Sequence, residues 1–103
     1  MATSNTKLTR EQKDFFKNLK YQNPEIQFFS FPEFYATVAI KREFSGSRMA
    51  RVSVSYCAMT EQRFRRKVGQ YHAATKMLAG EFIKVPIDNY FSLETLASEF
   101  ATL

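Results

Sequence analysis

Residues 59–80 constrain the fold more than any other stretch. Phe64, Val68, Tyr71, Thr75 and Leu78 recur there at spacings of four, three, four and three, the period of an amphipathic helix. Thr60 stands where an N-cap side chain would accept from the first backbone N–H groups, and Gly80 stands where such a helix would stop. Two runs of alternating polarity precede it. In residues 34–41, Phe34, Ala36, Val38 and Ile40 fall on one side, with Tyr35, Thr37, Ala39 and Lys41 on the other. In residues 50–56, Ala50, Val52, Val54 and Tyr56 oppose Arg51, Ser53 and Ser55. A period of two marks strands with one apolar and one polar face, and the connection through Gly46 makes the pair an antiparallel hairpin. The helix is expected to cover the apolar face.

The other elements follow from shorter signals. Thr9, Arg10, Glu11 and Gln12 have the form of a capping box, which opens a helix running to about Tyr21 with a thin apolar face of Phe15, Phe16 and Leu19. Pro24 marks a turn, and residues 26–31 read as a short apolar strand interrupted at Pro32. After Gly80, residues 82–85 form one more short strand, which Pro86 restricts to an edge. Ser92 caps a last helix that places Leu93, Leu96, Ala97, Phe100 and Leu103 on one face. The expected fold class is therefore α+β, a small antiparallel sheet packed against a central basic helix with an additional C-terminal helix. The 103 residues suit one domain over 8–103, preceded by a flexible tail at 1–7.

Catalytic chemistry finds little support in the residues. Cys57 is alone and cannot form an internal disulfide, a single histidine cannot begin a metal cluster, and no glycine-rich phosphate loop is present. Cys57, His72 and Asp88 supply the residue types of a thiol nucleophile and its base, without a local signature that ties them together. A non-enzymatic protein without metal or cofactor is expected. The first residues lack the apolar core of a signal peptide, and no run approaches the ~18 apolar residues that span a bilayer. A cytoplasmic chain with no membrane partner is the corresponding expectation.

Charge is the stronger functional signal. The net charge is +5, and residues 41–67 alone carry a local +6, whereas residues 81–103 carry −3. On an ideal helix Arg63, Arg66, Lys67 and Gln70 fall within about 100° of one another, on a flank beside the apolar stripe. Free backbone donors at the helix start together with these cations suit a phosphate. Lys41 and Arg51 on the polar face of the hairpin, with Arg48 near its tip, would extend the patch. The partner expected is a nucleic-acid backbone, RNA or DNA. The alternative is an acidic protein surface, which would make the chain an accessory or inhibitory factor, of the kind that viruses and mobile elements encode, acting on a larger host protein. Phe28, Phe29, Phe31, Phe34 and Tyr35 occupy five of eight successive positions, and cannot all face one interior unless both sides of the sheet are covered. Phe29, Phe31 and Tyr35, and Phe100 on the last helix, are thus candidate protein contacts, compatible with a homodimer.

The α-β-β-β-α order resembles a double-stranded-RNA-binding domain over roughly residues 9–79. In that register Arg66 and Lys67 stand at the basic pair that opens the family's second helix. Gly69 stands at the small position, Ala73 and Ala74 at the paired alanines, and Leu78 at the leucine, while Gln70 replaces a third lysine. Pro24, Glu25 and Ile26 correspond to the start of the first strand. The family's Gly-Pro-x-His loop has no counterpart between Phe28 and Phe34. The resemblance therefore implies binding to duplex RNA with one of three contact regions missing.

Overall fold

A computed structural model describes residues 2–3, 7–44, 46–57 and 64–102. Helix α1 (Arg10–Gln22) opens with the expected capping box: Gln12 N donates to Thr9 Oγ1 at 3.1 Å and Thr9 N donates to Gln12 Oε1 at 2.9 Å. Strands β2 (Gln27–Phe31), β3 (Ala36–Arg42) and β4 (Met49–Cys57) follow, then helix α2 (Arg66–Leu78), strand β5 (Ile83–Pro86) and helix α3 (Leu93–Ala101). Ser92 caps α3 through Thr95 N. Ala2–Thr3, expected within a flexible tail, forms a two-residue strand, β1, parallel to the end of β4. In the sheet β2 pairs with β3 and β3 with β4, both antiparallel, while β1 and β5 share the far side of β4. Between β2 and β3 a 3-10 turn at Pro32–Phe34 reverses the chain, leaving Tyr35 in the left-handed region at φ 52°.

The two sides of the hairpin are covered in the opposite sense to the expectation. The apolar side, Ala36, Val38, Ile40, Ala50 and Val52, packs against Leu96, Ala97 and Ala101 of α3, not against α2. Helices α1 and α2 lie on the other side, where Phe16, Leu19, Ala39, Ala73, Ala74 and Met77 form a second cluster. The reason lies in side-chain size. The side read as polar presents Thr37, Ala39, Ser53 and Ser55, all small, and all at most 2 % exposed. A helix with small residues on its inner face can approach such a surface closely, whereas the bulkier apolar side needs the leucine and alanines of α3 as partners.

Gly69 marks the closest approach. A Cβ on Gly69 would lie 3.0 Å from Thr37 Cβ and closer still to Thr37 Oγ1, which is buried without a hydrogen-bond partner among the described residues. The buried face of α2 is accordingly Val68, Ala73, Ala74 and Met77, while Leu78 is 49 % exposed. This corrects the stripe that ran through Phe64, Thr75 and Leu78, because large side chains are excluded where backbone meets sheet.

The helix start is corrected as well. Arg65 is the N-cap residue, with φ −114° and ψ 112°, so Phe64 and Arg65 precede the helix; Thr60 and Arg63 lie outside the described residues. A helix of this length is held by its packed face, and that face begins at Val68.

Gly69→Ala is expected to destabilise the fold by about 1–3 kcal/mol through overpacking, although alanine favours an isolated helix by about 1 kcal/mol. Urea unfolding measures it. The loss should be smaller in a Thr37→Ala background, since that change removes the nearer atom and an unpartnered hydroxyl.

Candidate functional site

The fold places two separate groups of basic residues towards opposite ends of the sheet. The first surrounds the start of α2. Lys7, Lys13, Arg65, Arg66 and Lys67 line a cleft of about 330 Å³ whose apolar part is Leu8, Phe64 and Val68. Among the described residues the lining contains no acidic residue. Lys7, Lys13, Arg66 and Lys67 are exposed, and none forms an ion pair with a described carboxylate. The start of α2 also has no side-chain cap and no acidic residue in its first turn. Among the described residues no side chain accepts from its leading N–H groups, and the helix dipole adds partial positive charge at the same point.

Ring contacts hold the two helices that form this cleft. Tyr71 of α2 meets Phe15 and Phe16 of α1 edge-on, at centroid distances of 6.3 and 6.1 Å. Phe16 in turn meets Phe28 of β2 at 5.9 Å. The aromatic wedge locks the start of α1 beside the start of α2, and brings Lys7 and Lys13 to Arg66 and Lys67.

The second group is neutralised. Lys41 Nζ lies 3.0 Å from Glu25 Oε1. Arg51 Nη2 donates to Glu43 Oε2 at 3.1 Å, and Lys84 Nζ lies 3.3 Å from Glu43 Oε1. The Arg51 guanidinium also sits over the Phe82 ring at 4.8 Å. Arg48 is paired with Asp88 at 3.6 Å, both exposed. Lys41, Arg51 and Arg48 therefore do not extend the patch around Arg66. Thr37 lies beside Gly69 in the first turns of α2, and Lys41 is four residues further along β3, ~13 Å at strand spacing.

The surface also separates Lys67 from Gln70, which helical phasing sets on one flank. Gln70 faces a neighbouring cleft along β2, Lys67 faces the cleft shared with α1, and Arg66 lines both. Arg65, which an ideal helix would place off the flank of Arg63, Arg66, Lys67 and Gln70, lines the cleft, because residue 65 precedes the helix and the 100° step does not apply to it. Lys7 and Lys13 carry no local signal of this role. Only the packing of α1 against α2 brings them in. The candidate protein contacts Phe29, Phe31 and Phe100 are half-buried against the α3 cluster, and Tyr35 is half-buried at the turn. Both sides of the sheet are covered, which is the condition under which that aromatic run can be interior.

Among the described residues no group of three or more His, Cys, Asp or Glu side chains is placed to hold a metal ion, and no helix is long and apolar enough to cross a membrane. Burial, with Lys76 nearby, lowers the His72 pKa, and its ring rests on Tyr71 at 5.2 Å. Asp88 is engaged with Arg48. Comparison with protein-family models, with curated proteins and with solved structures returned no match to this chain.

The neutralised end has a pH signature. The hydrogen bond from Arg51 lowers the Glu43 pKa, and Lys84 adds to it against the opposing effect of burial. The Glu25 pKa is lowered by a backbone hydrogen bond and then by Lys41. A carboxyl with a depressed pKa in the folded state contributes stability above its unfolded value of about 4.3 and loses it as pH falls through the folded value. Urea midpoints should therefore fall below about pH 4.3, and Glu43→Gln should flatten that limb; an unchanged slope would show that the Arg51–Glu43–Lys84 cluster does not stabilise the fold.

Proposed function

We infer that this protein is a non-enzymatic nucleic-acid-binding protein that holds a phosphate backbone in the cleft between the starts of α1 and α2. The observation that carries the reading is the composition of that cleft: five cationic side chains from three stretches of chain, with no acid among the described lining residues. Lys7, Lys13, Arg66 and Lys67 supply charge to successive phosphates, and the uncapped start of α2 supplies backbone donors. None of these groups is positioned by a base-reading constraint, so the binding is largely indifferent to sequence. The α-β-β-β-α order and its resemblance to a double-stranded-RNA-binding domain favour duplex RNA as the first ligand to test.

Fluorescence anisotropy with duplex RNA, duplex DNA and single strands at several salt concentrations provides the test. Four phosphate contacts give a log–log salt slope of roughly −3 to −4. The double variant Arg66→Ala, Lys67→Ala should bind more weakly on every sequence and reduce the slope by about 2, while Arg48→Ala leaves it unchanged. No binding at about 50 mM salt would refute the reading. Polyglutamate in place of the duplex separates an acidic protein surface from a phosphate backbone, since carboxylates on a flexible chain lack the fixed phosphate spacing.

A further inference from the structure

The two edges of the sheet are finished differently. Along β4, β5 pairs with residues 49–52 and β1 with Tyr56 and Cys57, and Lys76 Nζ donates to Val54 O at 3.1 Å in the stretch between them. On the opposite side β2 ends the sheet, and no described strand pairs with its outer edge. A strand in that position turns the N–H and C=O of alternate residues outward, a row of unused donors and acceptors. Sheets commonly blunt such an edge with lysine, proline or a bulge. Gln27–Phe31 has no charge, no proline and an unbroken register with β3.

This edge forms the floor of a cleft of about 350 Å³ over residues 28–31, with Arg66 and Gln70 of α2 on one wall and Glu94 of α3 on the other. Helices α2 and α3 lie on opposite faces of the sheet. Side chains of any strand added here would alternate between the walls, one set meeting Arg66 and Gln70, the other meeting Glu94. A second copy of the chain, paired antiparallel about a two-fold axis perpendicular to the sheet, would keep each face on its own side and set the Arg66 wall beside another Arg66 wall and the Glu94 wall beside another Glu94 wall, an arrangement that like charges oppose.

We propose that the open edge of β2 is a docking site for an extended segment of another protein, which adds as a further strand and directs an acidic side chain toward Arg66 and a basic one toward Glu94. Main-chain hydrogen bonds supply the affinity, and the oppositely charged walls fix the register. Glu94 belongs to this edge and not to the cationic cleft, so failure here and failure of the nucleic-acid reading are distinguishable.

The probe is a phage-displayed library of random peptides of about ten residues, long enough to span β2 at ~3.3 Å per residue. Enriched peptides should carry an acidic and a basic residue an odd number of positions apart, since an odd separation places them on opposite faces. Against a synthetic copy of an enriched peptide, Glu94→Lys should weaken binding roughly tenfold, and exchanging the peptide's basic residue for an acidic one should restore it. Methylating the peptide's amides along one edge should abolish binding, and alternate amides within residues 27–31 should exchange more slowly in the complex. The proposal is overturned by an absence of enrichment, by peptides indifferent to Glu94→Lys and to amide methylation, or by a stable dimer in solution that protects residues 27–31, which would assign the edge to a second copy.

Discussion

The arrangement depends on how closely α2 can lie against one side of the sheet. Gly69 over Thr37, with Ala73 and Ala74 clustered with Ala39, brings a helix backbone into contact with a surface that the alternation pattern marks as polar. Thr37, Ser53 and Ser55 are at most 2 % exposed, and Ser53 satisfies its hydroxyl by donating to Glu81 O at 2.6 Å. Short hydroxyl side chains cost little volume, and one that finds a carbonyl costs little free energy when buried. Closeness of packing therefore substitutes for bulk on this side, while α3 supplies bulk on the other.

The placement of charge follows from that packing. Seated by Gly69, the start of α2 emerges beside the start of α1, and the contacts of Phe15 and Phe16 with Tyr71 fix the two relative to each other. Lysines from residues distant in sequence then join Arg66 and Lys67 around one cleft. At the far end, carboxylates that lie outside the most basic segment, Glu25 and Asp88, fold onto Lys41 and Arg48, and Glu43 bridges Arg51 and Lys84. A charge excess that is continuous along the chain becomes one cluster in which Lys7, Lys13, Arg66 and Lys67 pair with no described carboxylate, and one compensated cluster. The first cluster carries the function proposed for the chain.

Local signals made most elements legible in the sequence. The capping box at Thr9 and the cap at Ser92 are chemical patterns confined to four residues, and the two alternating runs became β3 and β4, although Phe34 and Tyr35 fall in the turn before β3 and the side that reads as polar is buried. What the sequence hid was which helix covers which face. Hydropathy assigns the apolar side to the most prominent helix, and carries no measure of the side-chain volume that lets Gly69 approach Thr37. The candidate site was half legible for the same reason. Arg66 and Lys67 announce themselves as a run, while Lys7 and Lys13 join only through tertiary packing, and Arg65 precedes the helix, where a 100° step says nothing of its direction.

The most direct test of this account is a backbone amide NMR titration of the protein with a short nucleic-acid duplex at low salt. Chemical-shift changes are expected at Lys7, Lys13 and the leading residues of α2 from Arg66 to Gly69, with Lys41, Arg48 and Arg51 unmoved. Changes centred on Lys41 and Arg51, or no changes at the start of α2 under conditions where the duplex binds, would contradict it.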